Sequence, residues 1–494
     1  FEKIRNQHKI HVNNMLELAG VENAQAKAEG IYEFEKKLAQ VSMTKVDARD
    51  IDKVYNKKTI GEIKALAPNI DWDLYWQSLN VPNISDTTEV LIYQPDVLHF
   101  TSNEFANTSI DIWKDYFTFH TLSAYAGYLP KKYVEESFRF YGKELSGAKE
   151  IKPRWKRAVN TVEGTLGYLL GEYFVKKYYG VEAEHKMDKM IADLKLAYEK
   201  HIKELDWMSQ GTKEKALEKL HQFDFKIGYP KKNRDYSSVK TSPDTLIENL
   251  FATADFEFNF MINKLGKPTD REEWEMTPQT VNAYFSPNRT QIVFPAGILQ
   301  PPFFDVSAPD AWNYGAIGSV IGHEFTHGFD DQGAKYDGAG NLNDWWSKED
   351  LEKFTEKTKK IIAQYDKFEV LPGLFVNGAM TVGENIADLG GVILAVEAYK
   401  NTDEYKQSQK DSKKFSDGVN EYSNMQLFFL AWAVGERAKM RDETTRNMVM
   451  VDVHSPKDAR VNGPAVHCDD FYDAFELKEG DKLYLKPQDR VKIW

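Results

Sequence analysis

Two histidines four positions apart bracket a glutamate in the stretch His323-Glu324-Phe325-Thr326-His327. No other short pattern in the chain restricts its fold as strongly. On an α-helix each residue turns about 100°, so positions i and i+4 lie about 40° apart and both imidazoles leave one face. Glu324 leans over the same face, where a carboxylate can take a proton from a metal-bound water. The preceding run, Ala316-Ile317-Gly318-Ser319-Val320-Ile321-Gly322, is apolar enough to bury that helix. Unpaired buried polar groups cost about 1–3 kcal/mol each, so a buried helix carrying these three needs a reason for them. A surface helix with a chance histidine pair is the competing explanation, and the apolar lead-in counts against it.

Catalytic zinc usually takes three protein ligands and leaves one position for water. A three-histidine continuation, H-x-x-G-x-x-H, is excluded because Asp330 stands where the glycine would be. A candidate third ligand lies in Val382-Gly383-Glu384-Asn385-Ile386-Ala387-Asp388-Leu389-Gly390-Gly391. Glu384 and Asp388 are again i and i+4, inside an otherwise apolar run. One carboxylate can bind the metal while the other accepts the N–H of a ligating histidine, which fixes the tautomer. Most E-x-x-x-D patterns are solvated helix faces, but those rarely have Val, Ile, Ala and Leu packed around them. Further on, Asp452-Val453-His454-Ser455-Pro456 precedes Arg460. In an extended segment Asp452 and His454 share one side, and an Asp-oriented histidine can donate to a developing oxyanion. Taken alone, that histidine reads more simply as a loop residue beside a charge.

These motifs, taken in order, resemble the neprilysin family of zinc endopeptidases. The resemblance rests on Gly322 to Asp331, Glu384 to Asp388 and Asp452 to Pro456, and on Val281-Asn282-Ala283-Tyr284-Phe285 running into Gln291 to Phe304. Within the family the chain looks most like the bacterial endopeptidase O branch, which lacks the disulfides of the animal enzymes. Weaker similarity, as at Lys152-Pro153-Arg154-Trp155-Lys156-Arg157 and Leu170-Gly171-Glu172, extends towards the start.

The resemblance implies a role for each matching residue. His323, His327 and Glu384 match the ligands of one Zn²⁺ per chain. Glu324 matches the general base, which draws a proton from zinc-bound water and later protonates the leaving amine. His454 matches the transition-state stabiliser, with Asp452 orienting its ring. Asp388 and Asp330 match the carboxylates behind the ligating histidines. Asn282 and Ala283 match the site where substrate adds as an extra strand, and Arg460 the residue that holds the carbonyl beyond the scissile bond. Phe303 and Val320 match walls of a hydrophobic pocket. The implied substrates are short oligopeptides cut on the amino side of hydrophobic residues. The implied fold is mainly α with a small β component, in two mostly helical lobes enclosing a central cavity. One of them is a thermolysin-like catalytic lobe of the gluzincin type.

Two departures accompany this. The pocket tryptophan of the animal enzymes is absent from Leu427 to Glu436; Glu436 stands near its place, with Trp432 a turn earlier. The chain also opens Phe1-Glu2-Lys3-Ile4-Arg5, without Met. It is therefore expected to lack the family's N-terminal segment, whose arginines help animal members bind a substrate's C-terminal carboxylate.

The 494 residues suggest two or more domains. The expected division is a mostly helical lobe over 1–245 and a catalytic lobe over 246–494, near a Pro-, Lys- and Ser-rich passage from Tyr229 to Pro243. Helical patterning marks Ala24 to Leu38, Val134 to Leu145, Val159 to Tyr179 and Lys186 to Leu205, and strand character marks Thr280 to Tyr284 and Thr290 to Phe294. His8 and His11, at i and i+3, suit either a shared metal or, more simply, a polar helix face. Net charge is 64 − 76 = −12, so no basic surface invites nucleic acid. One cysteine, Cys468, rules out an internal disulfide and a cysteine-rich zinc site. The stretch from Leu427 to Val434 is too short to span a bilayer. A charged start without a signal peptide points to the cytoplasm, with export or surface display as the alternative. Displayed at the surface, the chain would have a second role open to it, binding host proteins.

Overall fold

The computed structural model describes residues 2–411 and 414–494; Phe1, with which the sequence opens, lies outside the described residues. Two compact units emerge: Phe1–Ala158 with Ser237–Lys267 and Arg441–Asn447, and Val159–Tyr236 with Pro268–Met440 and Met448–Trp494. Against the single cut expected at 245, residues 159–236 pack with the second unit and 246–267 with the first. The Tyr229 to Pro243 passage does contain one crossing, at Tyr236/Ser237. The late return at 441–447 has a local cause. Thr444 Oγ1 donates to Ser146 O at 3.0 Å, and a Cβ on Gly147 would meet the Glu443 carboxylate.

In the first unit, helices α1 (Glu2–Leu18), α2 (Ala24–Val41) and α3 (Ile110–Tyr125) share a core. Val12, Met15 and Leu16 of α1 meet Ala28 and Ile31 of α2 and Phe119 of α3, all buried. Such spacing buries one helix face and leaves the other to charged residues. His11 belongs to the buried face, so the expected polar face is not what forms. Its ring stacks on Phe140 at 5.0 Å and its Nδ1 lies 2.9 Å from Glu136 Oε1. His8 turns instead towards Glu35, 3.6 Å away.

The second unit holds the larger core. Helix α4 (Arg154–Tyr178), which enters this unit at Val159 and is kinked at Leu166, leads to α5 (Val181–Glu204) and α6 (Gln210–His221). A small sheet follows from β1 (Asp224–Gly228), β2 (Tyr284–Ser286) and β3 (Gln291–Pro295), in the order β1-β3-β2. Wholly buried β3 runs parallel to β1 and antiparallel to β2, leaving β2 at the edge. The second of these strands therefore begins at the end of the stretch expected from Thr280 to Tyr284. A π-helical turn, Tyr314–Gly318, leads into α7 (Ser319–His327); α8 (Lys348–Tyr365), α9 (Gly378–Lys400), α10 (Asn424–Gly435) and α11 (Lys457–Ala465) complete the parts that matter here. Tyr198, Phe294, Phe325, Phe329, Tyr399 and Phe428 fill the space between them. Helix α9 is long and apolar enough to cross a membrane, yet 83% of its apolar window is buried in the protein, as befits a core helix.

The first unit carries one strongly perturbed carboxyl. Burial would raise the Glu136 pKa, but bonds from His11, Arg139 and Asn14, with the Arg139 charge, bring it down to about 2. A depressed folded value stabilises the unit fully above the unfolded pKa of about 4.3, and this is lost as pH falls towards 2. Glu136→Gln should therefore cost about 1–3 kcal/mol at pH 7 and less at pH 3. Urea unfolding of this unit at the two pH values measures it; equal penalties would contradict the assignment.

Candidate metal centre and active site

Helices α7 and α9 touch backbone to backbone. A Cβ on Gly322 would stand 2.7 Å from Gly391 O, and one on Gly391 would stand 2.6 Å from Ser319 O. Gly390 faces Thr326, whose Oγ1 would be 2.3 Å from an added Cβ. Only residues without a side chain permit such an approach. It brings Glu384, on the second turn of α9, against the two histidines of α7. Helix α9 is started for this by Asn377, whose side chain accepts from Met380 N at 3.1 Å.

The three residues meet through single atoms. His323 Nε2 and His327 Nε2 lie 2.9 Å apart, and Glu384 Oε2 lies 3.3 and 3.5 Å from them. Both rings have their other nitrogen engaged: His323 Nδ1 is 2.8 Å from Asp388 Oδ1, and His327 Nδ1 is 2.8 Å from Asp330 Oδ2. A proton on each Nδ1 satisfies those carboxylates and leaves both Nε2 lone pairs aimed at one point. Glu384 Oε2 is buried against both rings. Three donor atoms this close together call for a cation between them. Two ligands held about 2.0–2.1 Å from one zinc at tetrahedral angles stand about 3.3 Å apart, which the observed triangle fits.

Electrostatics agree. Burial and mutual repulsion oppose charging of His323, yet Asp388 and Glu384 raise its pKa to about 9. His327 is raised as well, against burial, by Glu384 and Asp330. Glu384 is driven far below the carboxylate range despite its burial, chiefly by His327. A site that attracts protons this strongly offers the same attraction to a metal ion. Glu324, 5% exposed, has an Oε2 without a partner, and burial raises its pKa although both imidazoles pull the other way. It is therefore placed to accept a proton beside the ligand triangle.

The loop after residue 451 supplies the next group. His454 Nε2 lies 3.2 Å from Glu384 Oε2, on the more exposed side of the cluster. Asp452 Oδ1 accepts both the backbone N–H of His454 at 2.9 Å and its ring Nδ1–H at 2.8 Å. The segment is thus a bend rather than an extended run, because one carboxylate closes it on itself. Ser455 Oγ, donating to Asn385 Oδ1 at 2.7 Å, ties it to α9. Burial disfavours the His454 cation, but Glu384 and Asp452 raise its pKa overall.

Arg460 of α11 is held by Asp388, with Nε at 2.8 Å from Oδ2 and Nη2 at 2.7 Å from Oδ1. Its Nη1 lies 3.8 Å from Glu436 Oε2, which also accepts from Lys457 Nζ at 2.7 Å. Phe303 packs over Gly435 beside Glu436, and Ile317 N donates to its carbonyl at 3.0 Å. Val320 is half-buried, one helical turn before Glu324. Trp432 is buried in the core. Exposed Asn282 and buried Ala283 directly precede the edge strand β2, which lies against α7. The sequence reading missed the functional weight of Gly322, Gly391 and Ser455. A glycine facing a glycine on another helix leaves no periodic trace; only the pairing of small residues within two buried motifs hints at it.

Gly391→Ala should force α7 and α9 apart, costing about 1–3 kcal/mol of stability. It should also weaken zinc binding measured by chelator competition. Unchanged metal affinity in a folded variant would show that the close approach does not set the site.

The chain is similar to known proteins in both sequence and fold. Two sequence models described as peptidase family M13 match the chain, over residues 1–230 and 282–491. Neprilysin-3 of Drosophila melanogaster is 32% identical over 510 aligned positions, covering 100% of this chain and 64% of the fly protein. Among solved structures, the Mycobacterium tuberculosis zinc metalloprotease Zmp1 in complex with an inhibitor superposes with a TM-score of 0.93 at 39% identity, covering 100% of this chain and 75% of that one. PepO from Lactobacillus rhamnosis gives 0.89 at 28% identity, with 100% and 75% covered. The chain spans 64% of the length of the fly neprilysin and 71% of that of the Lactobacillus helveticus neutral endopeptidase, to which it is 33% identical over 97% of this chain. The kinship with neprilysins and bacterial endopeptidase O expected from the motifs is borne out, and the chain belongs to peptidase family M13.

Proposed function

We propose that this chain is a zinc-dependent endopeptidase that hydrolyses short oligopeptides, preferentially on the amino side of hydrophobic residues. The observation that carries the reading is the convergence of His323 Nε2, His327 Nε2 and Glu384 Oε2 near Glu324, whose Oε2 has no hydrogen-bond partner among the described residues. One zinc, held by the first three, would supply Lewis acidity, polarising a carbonyl and acidifying a water near neutral pH.

The chain's own groups do the rest. Glu324 takes the proton from the attacking water and returns it to the leaving amine, a role its raised pKa suits. His454, held by Asp452, donates from Nε2 to the oxyanion as it forms. The edge strand β2, next to Asn282 and Ala283, accepts an extended peptide through main-chain hydrogen bonds that do not depend on sequence. Arg460, fixed by Asp388, offers its remaining Nη1 edge to a substrate carbonyl. Phe303 and Val320 give the side-chain pocket its apolar walls, while Glu436 and Lys457 make the adjoining wall polar.

Mass spectrometry of a mixed peptide library, with chelator and with added Zn²⁺, tests the reading. Cuts before hydrophobic residues that vanish with chelator and return with zinc are expected. Glu324→Gln should lower kcat by at least about a hundredfold while zinc stays bound, and hydrolysis that survives the change would sink the mechanism. His454→Ala should lower kcat by about 10²–10³ with little change in KM. A rise in KM alone would mean that His454 binds substrate rather than the oxyanion.

A further inference from the structure

Behind the loop that follows α7 lies a lysine sealed from solvent. Lys219, near the end of α6, is 2% exposed. Its Nζ donates to the carbonyls of Gly333 at 2.7 Å and Tyr336 at 2.6 Å. The same nitrogen stands 5.2 Å from the centre of the Phe329 ring and 5.6 Å from that of Trp345. Burial lowers its pKa to about 7, with Asp330 and Asp337 opposing the shift. A buried cation is expensive, and an apolar side chain of similar length would fill the same space without that cost. The loop it grips supplies a reason for it.

That loop carries Asp330. Gly333 gives its carbonyl to Lys219 and its N–H to Asp330 Oδ1 at 2.7 Å; Gln332 N adds a second bond to Oδ1 at 2.8 Å. With Oδ1 so fixed, Oδ2 meets His327 Nδ1 at 2.8 Å. The loop also turns back tightly on α7: a Cβ on Gly333 would stand 1.8 Å from His327 O. Lys219, Gly333, Asp330 and His327 are thus linked in series, by hydrogen bonds joined through the Gly333 backbone, ending on the nitrogen whose proton leaves Nε2 free for metal.

We propose that Lys219 is a positioning residue of the metal centre, acting through Gly333 and Asp330 to hold the His327 ring in its metal-binding tautomer and orientation. This rests on the reading of His323, His327 and Glu384 as the zinc ligands.

The test is a double-mutant cycle on zinc affinity, measured by competition with a chelator of known affinity. It compares the wild-type chain, Lys219→Met, Asp330→Asn and the double variant, with circular dichroism to confirm folding. Lys219→Met should weaken zinc binding by about 10–100-fold, the range for groups that orient a metal-ligating histidine. The double variant should lose little more than Asp330→Asn alone, because both act along one route. Lys219→Arg, which keeps the charge and the donors, should recover most of the affinity. A Lys219→Met variant that melts at a lower temperature but keeps wild-type affinity would overturn the proposal, as would fold losses that multiply in the double variant. Should Lys219→Met not fold, Lys219→Gln serves in the same cycle under the same criteria. A wild-type chain that binds no zinc would instead defeat the reading of the ligands themselves.

Discussion

The backbone contact between α7 and α9 is the constraint on which the rest of this site depends. An i, i+4 histidine pair on one helix makes only two sides of a metal site. The third side requires a second helix closer than ordinary side chains allow, and Gly322 and Gly391 remove the side chains at the crossing. A glycine inside a helix costs about 1 kcal/mol relative to alanine. Here that cost is offset by burial, since α9 is covered along most of its length and α7 lies almost wholly in the core. The apolar residues around Glu384 therefore do two things at once: they hold the helices together and cover the Oε2 side of the carboxylate. With its Oε2 buried, Glu384 depends on the imidazoles around it.

Orientation is imposed outward in steps. Each imidazole of the cluster is fixed by a carboxylate at Nδ1: His323 by Asp388, His327 by Asp330 and His454 by Asp452. Each carboxylate is fixed in turn by something different. Asp388 is gripped by the Arg460 guanidinium, Asp330 by two backbone N–H groups of its own loop, and Asp452 by the backbone of the residue it orients. Metal ligands supported in this way keep their tautomer and their aim, so binding a cation need not reorganise the rings. The three kinds of support also differ in rigidity. A bidentate guanidinium and a buried loop resist motion, whereas an exposed bend yields, and His454 is the most exposed of the three histidines.

How much of this the sequence disclosed follows from how local each signal is. His323, Glu324 and His327 were legible because their geometry is set by helical pitch alone. Glu384 and Asp388 were legible as charges inside an apolar run, and Asp330 and Asp452 through the family motifs that contain them. Asp452 and His454 were legible as a pair, but their conformation was not. An aspartate two residues ahead of a histidine can alternate along a strand or close a bend, and the choice here lies with a carboxylate bonding the His454 N–H. Lys219 was invisible, because it acts on backbone carbonyls, which have no residue type to recognise. The partition into units was partly legible at Tyr229 to Pro243. The return of 441–447 to the first unit was hidden, since it depends on contacts with Ser146 and Gly147 far back in the chain.

In the proposed function, Arg460 ties metal binding to substrate binding. Two of its nitrogens are committed to Asp388, and the third edge lies near Glu436. The guanidinium is planar and rigid, so its grip on Asp388 fixes the direction of Nη1. Asp388 in turn positions His323. A substrate carbonyl drawn to Nη1 would therefore pull on the same group that keeps a metal ligand in place. Glu436 shares its carboxylate with Lys457, which limits how strongly it can compete for that edge. In the proposed chemistry one guanidinium thus couples the two halves, and the Glu436–Lys457 pair would set how much of it is left for the peptide.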